Sequence, residues 1–519
     1  MTIGNPNINK NRVFAGFISC LLLLTGLART NACAQPDKRD LSYKDANLIL
    51  IAINNIGVEH MSLYGYSRKT TPELDAWSKN ALVFDGVYTP ASWTLPVMTT
   101  FFTSLYPYTH GIANRSFENS LSPKTVILPY FLRSQGYNTV AFTGGLDNSK
   151  FFSHMWGFNF IADNPAYTGF KVTLKQAGEW LSRKPRKKFF LFIQGYDAHA
   201  PFTPPKKFKG IFSNPAGKNI TINPDLTYRG FEDHGGQYWA NYFIPEDGAD
   251  NGLRKKWKIT PLVEITRDDI DYMRDLYDEE ILSVDAQVAN FLKSLDKNLL
   301  KNTIIIVFSE HGEMFAKHGR FGRAGTLRGV LYDDVVHVPL IIKLPGQKGR
   351  RITGLVQIVD MMPTLLDLLG IPWPNNLQGK SLIPLIKGQG PVNDYIYAGA
   401  SYNLTRITEK RLYMNPSINE SIRSADWKFI HEIIYEEDHT GLPRAEKLGI
   451  KSETFELYDL KNDPNEFSNV FDKYPRTANA LREKLEKWAL DCKNSSNHGA
   501  VTSKIPDGII DDARKNGYW

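Results

Sequence analysis

The chain has 519 residues, of which 42% are hydrophobic and 23% are charged, and its net charge is +7 at pH 7. This is the composition of an ordinary globular protein, and no segment is of low complexity. Basic residues are concentrated only at 183–188 and 206–209. Short runs of this kind are usually solvated surface, so we predict no nucleic-acid partner. The length predicts one large domain with a smaller appendage, or two to three domains.

The first 34 residues have the features of a secretory signal peptide. Basic residues are followed by an apolar stretch at 13–28 and by Ala-Cys-Ala at 32–34, which matches a cleavage site. The apolar stretch is too short for a permanent membrane span, so no transmembrane segment is predicted in the mature chain. We expect export to the periplasm or the extracellular space. Lipid anchoring through Cys33 is disfavoured, because Thr30 stands where such a motif normally has Leu.

Apolar runs alternate with helical patterns along most of the chain. The runs lie at 48–53, 139–142, 189–193, 303–308 and 339–343, and the helical patterns at 71–80, 97–105 and 268–295. Continuous apolar runs are typical of strands buried on both faces, and this alternation predicts an α/β domain with a mostly parallel sheet flanked by helices, at about 40–390. The stretch 204–258 has no clear periodicity, and we interpret it as an insertion that shapes a substrate cleft.

The C-terminal part has a different pattern. After a helix at 363–370 and a polar connection at 375–394, two strand-like segments at 424–430 and 456–460 precede an amphipathic helix at 473–490. We predict a small α+β domain with an antiparallel sheet at 391–519.

Several polar residues follow the apolar runs. Asn54, Thr94, His199 and the pair Glu310-His311 are all at or shortly after such a run. In parallel sheets, reactive groups lie just past the carboxyl ends of the strands. We therefore expect these residues to be neighbours in one site.

The segment 92–107, Ser-Trp-Thr-Leu-Pro-Val-Met-Thr-Thr-Phe-Phe-Thr-Ser-Leu-Tyr-Pro, resembles the nucleophile loop and helix of the sulfatase family in the alkaline phosphatase superfamily. Further motifs in the family's order are Tyr-Gly-Tyr at 64–66, Asp-Ala-His-Ala-Pro at 197–201, Ser-Glu-His-Gly at 309–312, Leu-Tyr-Asp-Asp at 331–334, Asp-Trp-Lys at 426–428 and Leu-Tyr-Asp-Leu at 457–460. The resemblance implies an alkaline-phosphatase-like α/β domain and a small C-terminal domain with an antiparallel sheet.

The nucleophile position departs from the family pattern. Sulfatases have Cys-x-Pro-x-Arg and oxidise the Cys to formylglycine, whereas this chain has Thr94 and Met98. Oxidation of Thr would give a ketone, so no formylglycine can form. Relatives in the wider superfamily use a zinc-activated Thr as nucleophile, and Thr94 is a candidate for that role. The alternative is that Thr94 only caps the helix that starts near Pro96.

The resemblance places the divalent metal site, usually a calcium site, at Asn54, Asn55, Glu310 and His311. Two family Asp residues are Asn here, which keeps oxygen ligands but removes two negative charges. His311 adds a nitrogen, which favours zinc or manganese if Thr94 acts. We expect a metal-poor or empty site. The alternative for the Asn pair is a helix-capping turn.

The substrate-binding groups are also incomplete. His199 matches the family's His that donates to an ester or anionic oxygen, and Arg328 stands where the family has its second Lys and can bind an anion. The family's Lys-x-His element falls near 144–147, where both groups are lost. His318 and Arg323 are secondary candidates.

Three functions follow from these residues. The first is hydrolysis of sulfate or related phosphate or phosphonate esters, with Thr94 as nucleophile. The second is a pseudoenzyme that binds a sulfated or phosphorylated glycan without cleaving it. A third, weaker candidate is transfer of a phosphoryl-linked group to an envelope glycan.

We predict that Thr94 is never converted to formylglycine. Mass spectrometry of the tryptic peptide that contains Thr94 should give the mass of unmodified threonine. Cys492 is the single cysteine beyond the predicted signal peptide, so no other residue offers the usual precursor. An aldehyde in that peptide would contradict the prediction.

Overall fold

The structure, a computed structural model, describes residues 41–113, 119–164, 168–200, 202–220, 266–315, 317–319, 330–402, 417–436, 449–495 and 501–502. The predicted signal peptide, Arg323, Arg328 and residues 221–265 lie outside the described residues. Within them, no helix has the length and apolar character that crossing a membrane requires.

The strands and helices occupy these bounds. The strands are β1 (Asn47–Ile53), β2 (Leu82–Tyr88), β3 (Asn119–Ser120), β4 (Asn138–Thr143), β5 (Phe160–Asp163), β6 (Phe189–Gly195), β7 (Thr303–Ser309), β8 (Leu340–Lys343), β9 (Arg350–Gln357), β10 (Ile396–Tyr402), β11 (Ser417–Arg423), β12 (Trp427–Tyr435), β13 (Ile450–Asp459) and β14 (Val501–Thr502). The α-helices are α1 (Pro72–Trp77), α2 (Thr94–Thr103), α3 (Pro107–His110), α4 (Leu128–Ser134), α5 (Phe170–Ser182), α6 (Arg267–Ser294), α7 (Lys297–Leu300), α8 (Asp333–Val336), α9 (Met361–Leu368), α10 (Ile383–Ile386) and α11 (Pro475–Asn494).

The larger sheet has the strand order β5-β4-β6-β1-β7-β8-β2-β9. Its strands pair in parallel except for β8, which is antiparallel to both β7 and β2. The predicted α/β fold with a mostly parallel sheet is therefore confirmed. The run at 339–343 did predict a strand, but an apolar run carries no information about strand direction.

Both faces of this sheet are covered by apolar layers. Leu48, Leu50 and Ala52 of β1 point into one layer together with α2 and α9, and the alternate residues Ile49 and Ile51 point into the other layer with α6. Side chains of a strand alternate between its two faces, so burial of both faces requires a continuous apolar run.

The C-terminal sheet is antiparallel, in the order β10-β11-β12-β13, as predicted. Helix α11 packs on it through an apolar cluster that includes Phe429, Leu457, Leu485 and Trp488.

A buried ion pair network joins this sheet to the larger domain. Lys428 of β12 is 1% exposed, and its Nζ is 2.7 Å from Asp333 Oδ1 and 2.7 Å from Glu466 Oε1. Burial alone would raise the pKa of Asp333, but the charges of Lys428 and Arg423 outweigh burial and lower that pKa. Lys428 therefore stabilises two carboxylates that have left water.

We predict that Lys428→Met lowers the free energy of unfolding by about 3–5 kcal/mol, because Asp333 and Glu466 stay buried without their shared cation. Urea unfolding followed by circular dichroism measures the change. Lys461→Met, at an exposed position after β13, is the matched control and should change stability by less than about 0.5 kcal/mol. Equal stability of the two variants would contradict the role given to Lys428.

Candidate active site at the carboxyl edge of the sheet

The register of three parallel strands brings the predicted site residues together. Ile53, the last residue of β1, is opposite Gly195 of β6 on one side and Ser309 of β7 on the other. The residues that follow each strand therefore emerge side by side. These include Asn54 after β1 and Glu310 after β7.

Thr94 is the first residue of α2 and is 4% exposed. The residue before it, Trp93, is the N-cap, so the interpretation of Thr94 as a capping residue is wrong. The Oγ1 atom of Thr94 lies 3.3 Å from Nε2 of His311 and 3.5 Å from Nδ2 of Asn54. The structure thus places three of the predicted residues in contact.

The hydrogen bonds of His311 identify its tautomer. Nδ1 is 3.1 Å from the carbonyl oxygen of Gly312, and a carbonyl can only accept, so the proton of the neutral ring is on Nδ1. Nε2 then has a lone pair that accepts from the hydroxyl of Thr94. A hydroxyl bonded to a base that a third group orients is the arrangement of an activated nucleophile.

Asn55 is held by two acceptors. Its Nδ2 donates to the carbonyl oxygen of Ala198 at 2.9 Å and to Oε2 of Glu313 at 2.8 Å, and its φ is 63°. Both acceptors lie on the amide nitrogen side, so Oδ1 must face the other way. The next short helix starts at Val58 with Gly57 as its N-cap, so neither Asn caps a helix.

Glu310 is bound by two amides that the sequence patterns missed. Its Oε1 accepts from Nδ2 of Asn148 at 3.5 Å and from Nε2 of Gln194 at 2.9 Å, and all three residues are buried. Gln194, a polar residue near the end of the apolar run of β6, could have indicated a buried polar contact from the sequence alone. Asn148 and Glu313 carried no signal of that kind.

The oxygen atoms of this cluster fit a hard divalent cation. Oδ1 of Asn54, Oδ1 of Asn55 and Oε1 of Gln194 are buried and accept no hydrogen bond from the described residues. Buried oxygens without donors need a cation or a water. Asn54, Asn55 and Glu310 would hold the cation, but one carboxylate in place of the family's several makes the site weak. His311, the fourth predicted ligand, instead has Nδ1 on the Gly312 carbonyl and Nε2 on Thr94.

A second cluster of ligand-type residues lies elsewhere. Among the described residues, His318, Asp334 and Glu466 bring ligand atoms within 4.8 Å of one another. Lys317 Nζ lies 2.6 Å from Asp334, and Lys428 already pairs with Glu466. These two ammonium groups supply the positive charge that a metal would bring, so this cluster is better explained as an ion pair network.

His199 is oriented by its neighbours. Its Nδ1 is 2.7 Å from the carbonyl oxygen of Ala200, and its ring stacks on Tyr196 with centroids 4.3 Å apart. The bond from Asn55 to Ala198 ties this loop to the site. Gly145, in the region of the lost Lys-x-His element, has φ 91°, and a β-carbon there would lie 2.5 Å from the Tyr196 ring. The ring of Tyr196 therefore lies directly against Gly145, in the region where the family has its Lys-x-His element.

Met98 is fully buried in the apolar layer that also contains Phe101 and Phe102. It replaces the family's Arg with an uncharged side chain that belongs to the core. The predicted anion-binding residue Arg328 is not among the described residues, so its role stays a prediction.

Comparisons with known proteins identify the family of the chain. A family model described as Sulfatase matches residues 46–371, and one described as N-sulphoglucosamine sulphohydrolase, C-terminal, matches residues 322–440. The chain is 24% identical to an N-acetylglucosamine-6-O-sulfatase of Bacteroides thetaiotaomicron over 92% of each chain. It is 31% identical to arylsulfatase K of Homo sapiens, over 42% of this chain and 37% of that protein.

Two solved structures share the fold. One is a protein in complex with its substrate D-glucosamine-2-N,6-O-disulfate, with a TM-score of 0.62 and 20% identity over 86% of this chain and 98% of that one. The other is the phosphonate monoester hydrolase of Agrobacterium radiobacter, with a TM-score of 0.63 and 20% identity over 89% of this chain and 100% of that one.

We predict that Asn55→Asp destabilises the metal-free protein by roughly 2–4 kcal/mol, because the new carboxylate meets that of Glu313 at hydrogen-bond distance. The loss in free energy of unfolding should become smaller as the pH falls, since one carboxylate of the pair then binds a proton. Calcium should restore stability. Thermal unfolding in EDTA and in calcium measures both effects.

Asn54→Asp is the matched control. The one described partner of the Asn54 amide nitrogen is Thr94 Oγ1 at 3.5 Å, so this change should destabilise the metal-free protein much less. If both variants behave alike in EDTA, the hydrogen bond between Asn55 and Glu313 does not have the importance assigned to it.

Proposed function

The chain belongs to the sulfatase family, and from that basis we propose that it is an exported hydrolase of anionic esters in which Thr94 is the nucleophile and His311 its general base. One observation carries the proposal. Thr94 Oγ1 lies 3.3 Å from His311 Nε2, and the opposite ring nitrogen is held by the carbonyl of Gly312. This pairing requires neither formylglycine nor the family's Arg.

The proposed reaction has two displacements. In the first, Nε2 of His311 takes the proton of Thr94 while Oγ1 bonds to the phosphorus or sulfur atom, and the bond from that atom to the alcohol oxygen breaks. In the second, water attacks the same atom and gives its proton to His199, which became neutral when it protonated the alcohol. The bond to Oγ1 then breaks, and His311 returns its proton to Thr94. A divalent cation held by Asn54, Asn55 and Glu310 supplies polarisation of the ester oxygens when bound.

His199 is the proposed proton donor to the departing alcohol. Its Nδ1 proton is directed at the Ala200 carbonyl, so Nε2 can donate only when the ring is an imidazolium. His311 must be neutral at the same time. Turnover should therefore follow a bell-shaped pH profile.

We propose a saccharide as the alcohol part of the substrate. The N-acetylglucosamine-6-O-sulfatase and the protein bound to a glucosamine disulfate support this class. The similarity to a phosphonate monoester hydrolase supports testing phosphorus esters beside sulfates. Because Met98 leaves no cation at the family's Arg position, we expect slow turnover of aryl sulfates.

The second candidate is a binding protein that retains the cleft and does not cleave its ligand. It is favoured by the replacement of both family Asp residues and by the hydrogen bond that commits Asn55 to Glu313. Such a protein would bind a sulfated or phosphorylated glycan through His199 and Arg328.

We predict that the wild type hydrolyses chromogenic phosphodiesters or phosphonate monoesters in calcium, manganese or zinc, and that Thr94→Val lowers kcat by about 10³-fold or more. Thr94→Ser keeps the hydroxyl and is the matched control, with activity retained. His311→Gln should lower kcat by about 10²- to 10⁴-fold. Initial rates with the metals and with EDTA test this set.

Unchanged rates in Thr94→Val would refute the nucleophile. If wild type and Asn54→Asp cleave no ester while phosphate still raises the melting temperature, the binding protein is the better description. Loss of that shift in His199→Ala would then locate the ligand in the cleft.

A further inference from the structure

A surface at the amino end of the sheet combines exposed aromatic rings with basic residues. Tyr130 is 55% exposed and Trp156 is 54% exposed, although both are large side chains. They lie close to the starts of β4 and β5, whereas the candidate active site lies beyond the carboxyl ends of β1 and β7. The two rings are therefore outside the candidate active site, although Lys150, which contacts Trp156, follows Asn148 of that site by two residues.

Close contacts join these residues into one patch. The indole Nε1 of Trp156 donates to the carbonyl oxygen of Lys150 at 3.1 Å, which fixes the ring on the surface. A β-carbon on Gly157 would lie 2.0 Å from the amide nitrogen of Tyr130, so this segment presses on the start of α4. The guanidinium of Arg133 lies 4.8 Å from the centroid of the Tyr130 ring.

The basic run at 183–188 lies beside this patch. The amide of Asn138 donates to the carbonyl oxygen of Lys188 at 2.9 Å, and the amide of Asn159 donates to that of Thr139 at 2.8 Å. These bonds place the turn before β6 next to the segment that holds Trp156. Arg183, Lys184, Arg186 and Lys187 are all exposed. Asp147 and Asp163 are the carboxylates in residues 119–164, and Asp147 is buried. Asp45 pairs with Lys188 of the basic run at 2.6 Å.

We propose that Tyr130, Arg133, Trp156, Arg186 and Lys187, here named the aromatic–basic surface, bind an anionic polysaccharide. Guanidinium groups match the oxygens of sulfate and phosphate in geometry and charge. Trp and Tyr offer rigid apolar faces, at little cost in conformational entropy, for the C–H faces of sugar rings. The surface would hold one part of a long glycan while another part of the same glycan reaches the active site.

Charge complementarity favours this occupant over a second copy of the chain. A two-fold contact would place the same cations against each other. The choice of a glycan over another polyanion rests on the saccharide substrate proposed above, whereas the existence of the surface does not depend on Thr94.

Binding of dextran sulfate, with unsulfated dextran as the matched probe, tests the proposal by calorimetry at fixed salt. Trp156→Ala and Tyr130→Ala should each weaken binding of dextran sulfate by roughly five- to tenfold without any change in net charge. The double change Arg186→Gln and Lys187→Gln should weaken binding and reduce its salt dependence. Leu490→Ala, an equally exposed apolar residue on α11, should bind as the wild type does.

Hydrolysis of a small chromogenic ester should be unchanged in Trp156→Ala, which also reports correct folding. Thr94→Val should keep the binding of dextran sulfate. A loss of catalysis can therefore be distinguished from a loss of glycan binding at the aromatic–basic surface. The proposal is overturned if Trp156→Ala and Tyr130→Ala bind like the wild type. It is equally overturned if an oligonucleotide binds more tightly than dextran sulfate, or if Trp156→Ala acts by breaking a dimer.

Discussion

The candidate site depends on one constraint, the parallel pairing of β1 with β6 and β7 in matched register. Ile53 stands level with Gly195 and Ser309, so three chain segments leave the sheet at the same height. Backbone hydrogen bonds fix this alignment far more firmly than any single side-chain contact in the site could. The apolar layers on both faces keep the three strands from shifting relative to each other.

Exchange of carboxylates for amides changes what the site needs in order to be stable. Several carboxylates in one buried cluster repel each other and require a cation. Here the amide of Asn55 donates to Glu313, and amides of Gln194 and Asn148 donate to Glu310. Each of these two buried carboxylates therefore accepts a hydrogen bond from a side-chain amide. The cluster is therefore compatible with a folded state that does not depend on metal.

Much of the fold followed from the sequence, because burial on two faces leaves a simple apolar signature. The strands at 48–53 and 303–308 and the long helix near 268–295 are present with boundaries within two residues of those predicted. The edge strands β5 and β9 were missed, since half-exposed strands lack that signature. The inner strand β2 was also missed, because Asp85 and Gly86 interrupt its apolar run. The residues after each strand were also identified from their position. The partners Glu313 and Asn148 were not, because a contact between distant segments leaves no local pattern.

The place of Met98 in the apolar layer has an evolutionary consequence. An arginine at position 98 would put a guanidinium among Phe101, Phe102 and their apolar neighbours, where a buried charge is costly. Such an intermediate loses stability before any sulfatase chemistry returns, because Thr94 would still lack the oxidisable thiol. Selection would have to retain a weakened protein through at least two substitutions. Single substitutions at positions 94 and 98 would therefore each cost stability, or leave activity unchanged, before the pair could restore the sulfatase pattern.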